Sequence, residues 1–447
     1  MYKMYRENNI SRRRFISSAA VAAATFTIVP RHVLGGQKYV APSEKLNIAG
    51  IGIGGQGWTD LHGVSSENIV ALCDVDDERA KRTYEEYPDA KRYRDYRIML
   101  EKQKDIDAVV IATPDHMHAA ITMAAIRMGK HVYCEKPLTH TVYEARKITQ
   151  AARQAGVATQ MGNQGHSGES IRLIKEWILD GAIGPVREVY CWTDRPKGWW
   201  PQGIGRPGQA ATVPQTLDWD LWLGVAPQRP YHPDYMPFNW RGWWDFGCGA
   251  LGDLGCHIID VPFWALDLTA PTSIQAQSTS VNNETGPEAE TIEYEFPARN
   301  GNPPVKLTWY DGGRTPPRPA ELEQGRKMGD NNGGVLLVGE KGTIMSGCFG
   351  DGARIIPEEK MKAYKRPTQT LTRSKGHYTD WILACKGGDP ASSNFDYAGP
   401  LTEVTLLGNA AVRAGGKLLW DSQNMKFTNN DDANKYIHFE YRKGWTL

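Results

Sequence analysis

Between Lys45 and Asn163, short apolar runs alternate with longer segments whose apolar residues recur every three or four positions. The runs are KLNIAGIG, NIVALCDV, DAVVIATP, HVYCEKP and VATQMGN. Between them lie DERAKRTYEEY, HMHAAITMAAIRMG and TVYEARKITQAARQAG. Short apolar runs bounded by turn residues predict strands buried on both faces, and the intervening segments predict amphipathic helices. Their alternation predicts a doubly wound α/β domain over residues 45–162, with a parallel sheet covered on both sides.

Beyond Asn163 the pattern changes. SGESIRLIKEWILDGAIG predicts a helix and PVREVYCWTDR a strand, followed by a Pro-, Gly- and Trp-rich loop region from Lys197 to about Trp244. TSIQAQSTS, TIEYEFPA, VKLTWYDG and GGVLLVGEKGTIMSG then read as antiparallel strands. The expectation for residues 163–447 is an α+β domain with a large, open, mostly antiparallel sheet.

The 447-residue length agrees with two domains. The N-terminus stands apart. Ser11-Arg12-Arg13-Arg14-Phe15-Ile16 fits the twin-arginine export pattern, and the apolar run from Phe15 to Val29 falls short of the ~20 residues that span a bilayer. Residues 1–36 are therefore expected to be a signal peptide that exports a folded protein to the periplasm, with no membrane span in the mature form. Removing them changes the net charge from +1 to −4, which gives no footing for nucleic acid. The seven cysteines are scattered without a CxxC pair, so neither a disulfide framework nor a zinc site is expected.

Candidate chemistry gathers where strands end. Gly52-Ile53-Gly54-Gly55-Gln56-Gly57 follows the first run, as a dinucleotide-binding turn requires, and Asp74 ends the second run 22 residues after Gly52. A carboxylate there accepts hydrogen bonds from ribose hydroxyls and repels an added phosphate, which predicts NAD rather than NADP. Thr113, His118, Glu135 and Asn163 close later strands and are expected near the cofactor. Lys136 is expected to bond a substrate hydroxyl.

In FGCGALGDLGCHIID, Asp253 and His257 are four residues apart and Asp260 three further on, which places all three on one helical face. Cys256 points elsewhere, and both cysteines of the stretch read as core thiols. A histidine can take the proton of an alcohol while its hydride leaves. His166, Trp240 and Arg241 are expected at the substrate, whereas Trp199 and Trp200 read as packing residues.

The ordered motifs Gly52-x-Gly54-x-x-Gly57, Glu135-Lys136-Pro137 and Asp253-x-x-x-His257 resemble the glucose–fructose oxidoreductase and inositol dehydrogenase (Gfo/Idh/MocA) family over nearly everything after Lys45. The resemblance implies that Lys136, Asp253 and His257 meet at the nicotinamide, with His257 as acid/base, and that the second sheet makes homo-oligomer contacts. It implies hydride transfer between NAD and a secondary hydroxyl of a sugar, glycoside or polyol, with C3 of a hexoside as the expected position. A glycosidase using bound NAD and a catalytically silent carbohydrate-binding protein are the alternatives.

Overall fold

The computed structural model describes residues 44–447, with one compact unit from Asn47 to Leu447. The twin-arginine stretch lies outside the described residues. The first sheet contains β1 (Asn47–Ile51), β2 (Asn68–Cys73), β3 (Lys91–Tyr93), β4 (Ala108–Ile111), β5 (His131–Cys134) and β6 (Thr159–Met161). All six strands are parallel, in the order β3-β2-β1-β4-β5-β6. Every residue of β4 is buried, as expected of a central strand with helices on both faces. The edge strand β3 is three residues, KRY, and too short and charged to register as an apolar run.

The helices here are α1 (Gln56–Gly63), α2 (Asp77–Glu86), α3 (Tyr96–Lys102), α4 (Asp115–Arg127) and α5 (Val142–Ala155). A capping box starts α5: Glu144 N donates to Thr141 Oγ1 at 3.2 Å, and Thr141 N to Glu144 Oε2 at 2.8 Å. The strand order reverses between β1 and β4, which opens a crevice at the carboxyl ends of these strands.

After α6 (Glu169–Leu179) comes a second sheet of nine strands. These are β7 (Val186–Thr193), β8 (Ser273–Ser278), β9 (Glu290–Phe296), β10 (Val305–Tyr310), β11 (Gly333–Gly339), β12 (Gly342–Ser346), β13 (Arg354–Ile356), β14 (Lys417–Asp421) and β15 (Lys426–Phe427). The order is β13-β12-β11-β7-β10-β9-β8-β14-β15, antiparallel except for β7 beside β10. Glu340-Lys341 turns the GGVLLVGEKGTIMSG segment into a hairpin of two strands. The remaining helices are α7 (Trp219–Leu223), α8 (Gly249–Ile258), α9 (Asp260–Ala265), α10 (Glu358–Ala363), α11 (His377–Cys385) and α12 (Phe395–Ala414).

The 20-residue α12 packs against α5, α8 and β8. One buried apolar cluster therefore runs from Val109 and Val132 through Leu401 and Leu407 to Val189 and Leu307. This shared core fixes α8, which carries candidate site residues, against the end of the first sheet. Among the described residues no helix is long and apolar enough to cross a membrane.

Candidate active site

The glycine-rich turn is built on close backbone approach. Gly52 has φ +74°, and a Cβ there would lie 2.7 Å from Thr113 N. A Cβ on Gly57 would lie 1.9 Å from Gly52 O, so only glycine lets α1 start this near β1. No side chain caps the first turn of α1, where Gly57 N donates to Gly54 O at a long 3.3 Å, and the start of a helix favours an anion. At the end of β2, Asp74 accepts from Ile53 N at 2.9 Å and from Asp76 N at 3.0 Å. Burial raises its pKa to about 6. A cleft of about 310 Å³ joins Gly52, Gly54, Gly55, Gln56, Asp74 and Thr113, with Met117, Ile121 and Trp222 as apolar wall.

A second cleft, about 560 Å³, shares Gln56, Ala112, Thr113, Trp240 and Arg241 with the first. It contains Glu135, Lys136, Asp253 and His257. Lys136 extends from the end of β5 and donates from Nζ to Asp253 Oδ1 on α8 at 2.7 Å. Arg241 Nε donates to the same oxygen at 3.1 Å, its guanidinium lying between the Phe238 and Trp240 rings at 4.1 and 4.2 Å.

Burial opposes ionisation of Asp253, but the two cations outweigh it and hold the carboxyl far below its usual range. Burial likewise disfavours a charged Lys136, yet the Asp253 carboxylate, with help from Glu135, lifts its pKa above the ordinary value. Lys136 is thus a charged donor.

His257, one turn beyond Asp253 on α8, packs edge-on against Phe349 with centroids 4.8 Å apart, and its Nδ1 is buried without a partner. Burial first, and the Lys136 charge second, depress its pKa to about 3. The imidazole is therefore neutral, and no protein group occupies its Nδ1. Asp253 serves the two cations and does not hold the imidazole. Glu135 accepts from Gln164 Nε2 at 2.9 Å, and burial raises its pKa to about 7. Asp115, at the start of α4, accepts from Cys248 N at 3.0 Å and is also raised to about 7, chiefly by burial.

The structure corrects several sequence expectations. His118 reaches neither cleft: its nitrogens lie 2.8 Å from Pro137 O and 2.8 Å from Thr113 O, making it a buried brace between the ends of β4 and β5. Its position one turn into α4 directs it to the helix's buried side. Asn163 is fully buried, donating to Asp260 Oδ2 at 3.2 Å and accepting from Ser393 Oγ at 2.6 Å. His166 is buried too, with Nδ1 2.9 Å from Asp260 Oδ1. The short 3-10 turn Gln164–Ser167 sends Gln164 to the cleft and His166 inward.

Asp260 does not line the cleft of Asp253 and His257; the chain stays helical through Ile259, and the Asp260 carboxylate is taken up beneath the cleft by Asn163, His166 and Tyr397. Trp200 is buried as expected, whereas Trp199 is 43% exposed and so is not a core residue. Cys248 and Cys256 are free and buried. Among the described residues no group of His, Cys, Asp and Glu is arranged to hold a metal.

The sequence reading did not select Asp115, Gln164, Arg195, Phe349 or Asp351, all of which line the second cleft. Asp115 follows the strand-end Thr113-Pro114 and Gln164 follows Asn163, so strand-end position was a usable signal for both. Phe349 and Asp351 come from the loop after β12, where no local pattern marks them.

Three features fit NAD along the joined clefts: the glycine cradle, the Asp74 carboxylate, and Thr113 Oγ1, buried without a partner where the clefts meet. Fold and site define a dinucleotide-dependent oxidoreductase framework. Residues 45–163 match the family described as oxidoreductases with an NAD-binding Rossmann fold, and residues 170–299 match the same family's C-terminal alpha/beta domain. The chain belongs to the Gfo/Idh/MocA oxidoreductase family.

It is 42% identical over 193 residues to 1,5-anhydro-D-fructose reductase of Ensifer adhaerens, covering 42% of this chain and 45% of that one. It is 28% identical over 167 residues to levoglucosan dehydrogenase of Pseudarthrobacter phenanthrenivorans, covering 37% and 34%. The chain thus spans less than half the length of these curated relatives. The WlbA dehydrogenase of Bordetella pertussis, solved with NADH and UDP-GlcNAcA, shares the fold with a TM-score of 0.60 at 17% identity, over 84% of this chain and 99% of that one.

Proposed function

We propose that this chain is an NAD-dependent oxidoreductase transferring a hydride between a secondary hydroxyl of a sugar, glycoside or polyol and the nicotinamide. One observation carries the reading: Lys136, Asp253 and His257 line one cleft, which shares Gln56 and Thr113 with the cleft of the glycine cradle. When bound, NAD supplies the hydride acceptor. Gly52, Gly54, Gly55 and Gln56 would hold its phosphates, and Asp74 its ribose.

Charged Lys136 donates a hydrogen bond to the reacting oxygen and lowers the cost of its developing negative charge. Neutral His257 takes the hydroxyl proton as the carbon's C–H electrons depart and the C=O bond forms. Asp253 keeps Lys136 protonated and placed. Trp240 and Arg241 wall the substrate. Similarity to a levoglucosan dehydrogenase and a 1,5-anhydro-D-fructose reductase supports a carbohydrate substrate.

We place the oxidised hydroxyl at C3 of a hexoside. The Ser11–Ile16 pattern supports twin-arginine export to the periplasm, and we propose a homo-oligomer joined through the nine-stranded sheet. Incubating the NAD-loaded protein with sugars and glycosides tests the function. Net NADH with a C3 ketone supports it, whereas aglycone release without NADH would replace it with redox-assisted glycoside cleavage.

A further inference from the structure

Trp199 is exposed yet immobilised from three directions. Arg195 Cζ lies 3.4 Å from its ring centroid, Trp199 Nε1 donates to Asp194 Oδ2 at 3.2 Å, and its backbone N donates to Pro196 O at 2.9 Å. Asp194 also pairs with the Arg195 guanidinium. The arginine covers one indole face, and 43% exposure leaves a large part of the ring open to solvent. A large apolar ring held this firmly in water is organised in advance for contact.

Arg195 joins this platform to the active site. It lines the second cleft together with His257, Phe349 and Asp351. Its side chain is 11% exposed and its Nε is buried without a partner. The neighbourhood of Trp199 is therefore mixed. The indole offers an apolar face and Asp194 beside it a carboxylate, while Asp351, in the cleft that Arg195 lines, offers a second; both are accessible to solvent. A pyranose ring has the matching chemistry, since its axial C–H groups form an apolar face and its edge carries hydroxyl donors. A free anion would meet two carboxylates, and an extended aliphatic chain would leave them unpaired.

We propose that Trp199, carried on Arg195, forms a second sugar subsite at the mouth of the cleft, so that the substrate is a glycoside of at least two rings. One ring sits between His257 and Trp240 for oxidation, and the next stacks on the indole. Trp199 touches no reacting atom; it sets affinity for the second ring. The identity of the first ring's site rests on the proposed function, whereas stacking at Trp199 is measured by binding alone.

The experiment is calorimetric titration of the NAD-loaded protein with glucose and cellobiose, and with galactose and lactose, with NADH formation followed in parallel. At least one disaccharide is expected to bind more tightly than its monosaccharide. Trp199→Ala is expected to weaken that disaccharide about tenfold while leaving the monosaccharide within about twofold. Trp199→Phe is expected to restore most of the difference. Equal weakening of both sugars, no weakening, or no disaccharide bound more tightly than its monosaccharide overturns the subsite. Disaccharide binding that depends on Trp199 but yields no NADH supports the subsite and counts against the proposed oxidation.

Discussion

Lys136 Nζ lies 2.7 Å from Asp253 Oδ1, although 117 residues separate them in the chain. The pair joins the end of β5 to α8, and Arg241 bonds the same carboxylate oxygen. Asp253→Asn would leave two cations facing each other across the cleft and remove the charge that lifts the lysine's pKa. Turnover is expected to fall by at least about 100-fold with NAD affinity nearly unchanged, measured as kcat/KM beside an NAD titration. Full activity in Asp253→Asn would show that the carboxylate does not hold the lysine for catalysis.

The glycine cradle makes a steric prediction. Gly57→Ala places a Cβ 1.9 Å from Gly52 O, a backbone atom that can move only if β1 or α1 moves. NAD binding is expected to weaken by more than tenfold, measured by NAD titration. An unchanged Kd would mean that the turn does not need to lie this close.

Asp115 predicts a pH dependence of stability. Its ordinary pKa of 3.8 rises to about 7 in the fold, because ionisation there is opposed by burial. A raised carboxyl pKa means that the folded state holds the proton longer than the unfolded one. Its stabilising contribution is complete below pH 3.8 and is lost as pH rises through about 7. Asp115→Asn carries no such charge. Its stability relative to the parent is expected to increase between pH 4 and pH 8 by up to ~4 kcal/mol. Urea unfolding at the two pH values measures this, and a constant difference would contradict it.

Asp260 separates structure from chemistry. Its carboxylate accepts from Asn163 and Tyr397 and meets His166, all beneath the cleft. Asp260→Ala is expected to destabilise the fold by about 3 kcal/mol or more, since buried polar partners lose their acceptor. NAD affinity of the folded protein at low temperature should change little, as Asp260 lines neither cleft. A large loss of NAD affinity without loss of stability would return Asp260 to the site.

Helical spacing in the sequence already placed Asp253 and His257 together, and strand-end position placed Lys136 and Glu135, because both signals are local and periodic. The same reasoning misplaced His118 and Asn163. Reaching the end of a strand does not say whether a side chain then turns to the cleft or beneath it; Pro137 O and Thr113 O decide that for His118, and Asp260 and Ser393 for Asn163. Asp260 failed because its carboxylate is drawn beneath the cleft by Asn163, His166 and Tyr397, partners from distant parts of the chain that helical spacing does not reveal. Phe349, Asp351 and Arg195 depend on how the second sheet's loops fold back over α8, and short-range patterning carries no information on such long-range contacts.

In the proposed reaction His257 accepts the proton of a hydroxyl whose hydride goes to NAD. The most direct test compares the parent and His257→Ala, each loaded with NAD, by single-turnover NADH formation on the glycoside the parent oxidises. Rapid NADH formation is expected in the parent, and in His257→Ala a loss of about 100-fold or more with NAD affinity within about twofold. NADH formation at the parent rate in His257→Ala would contradict it.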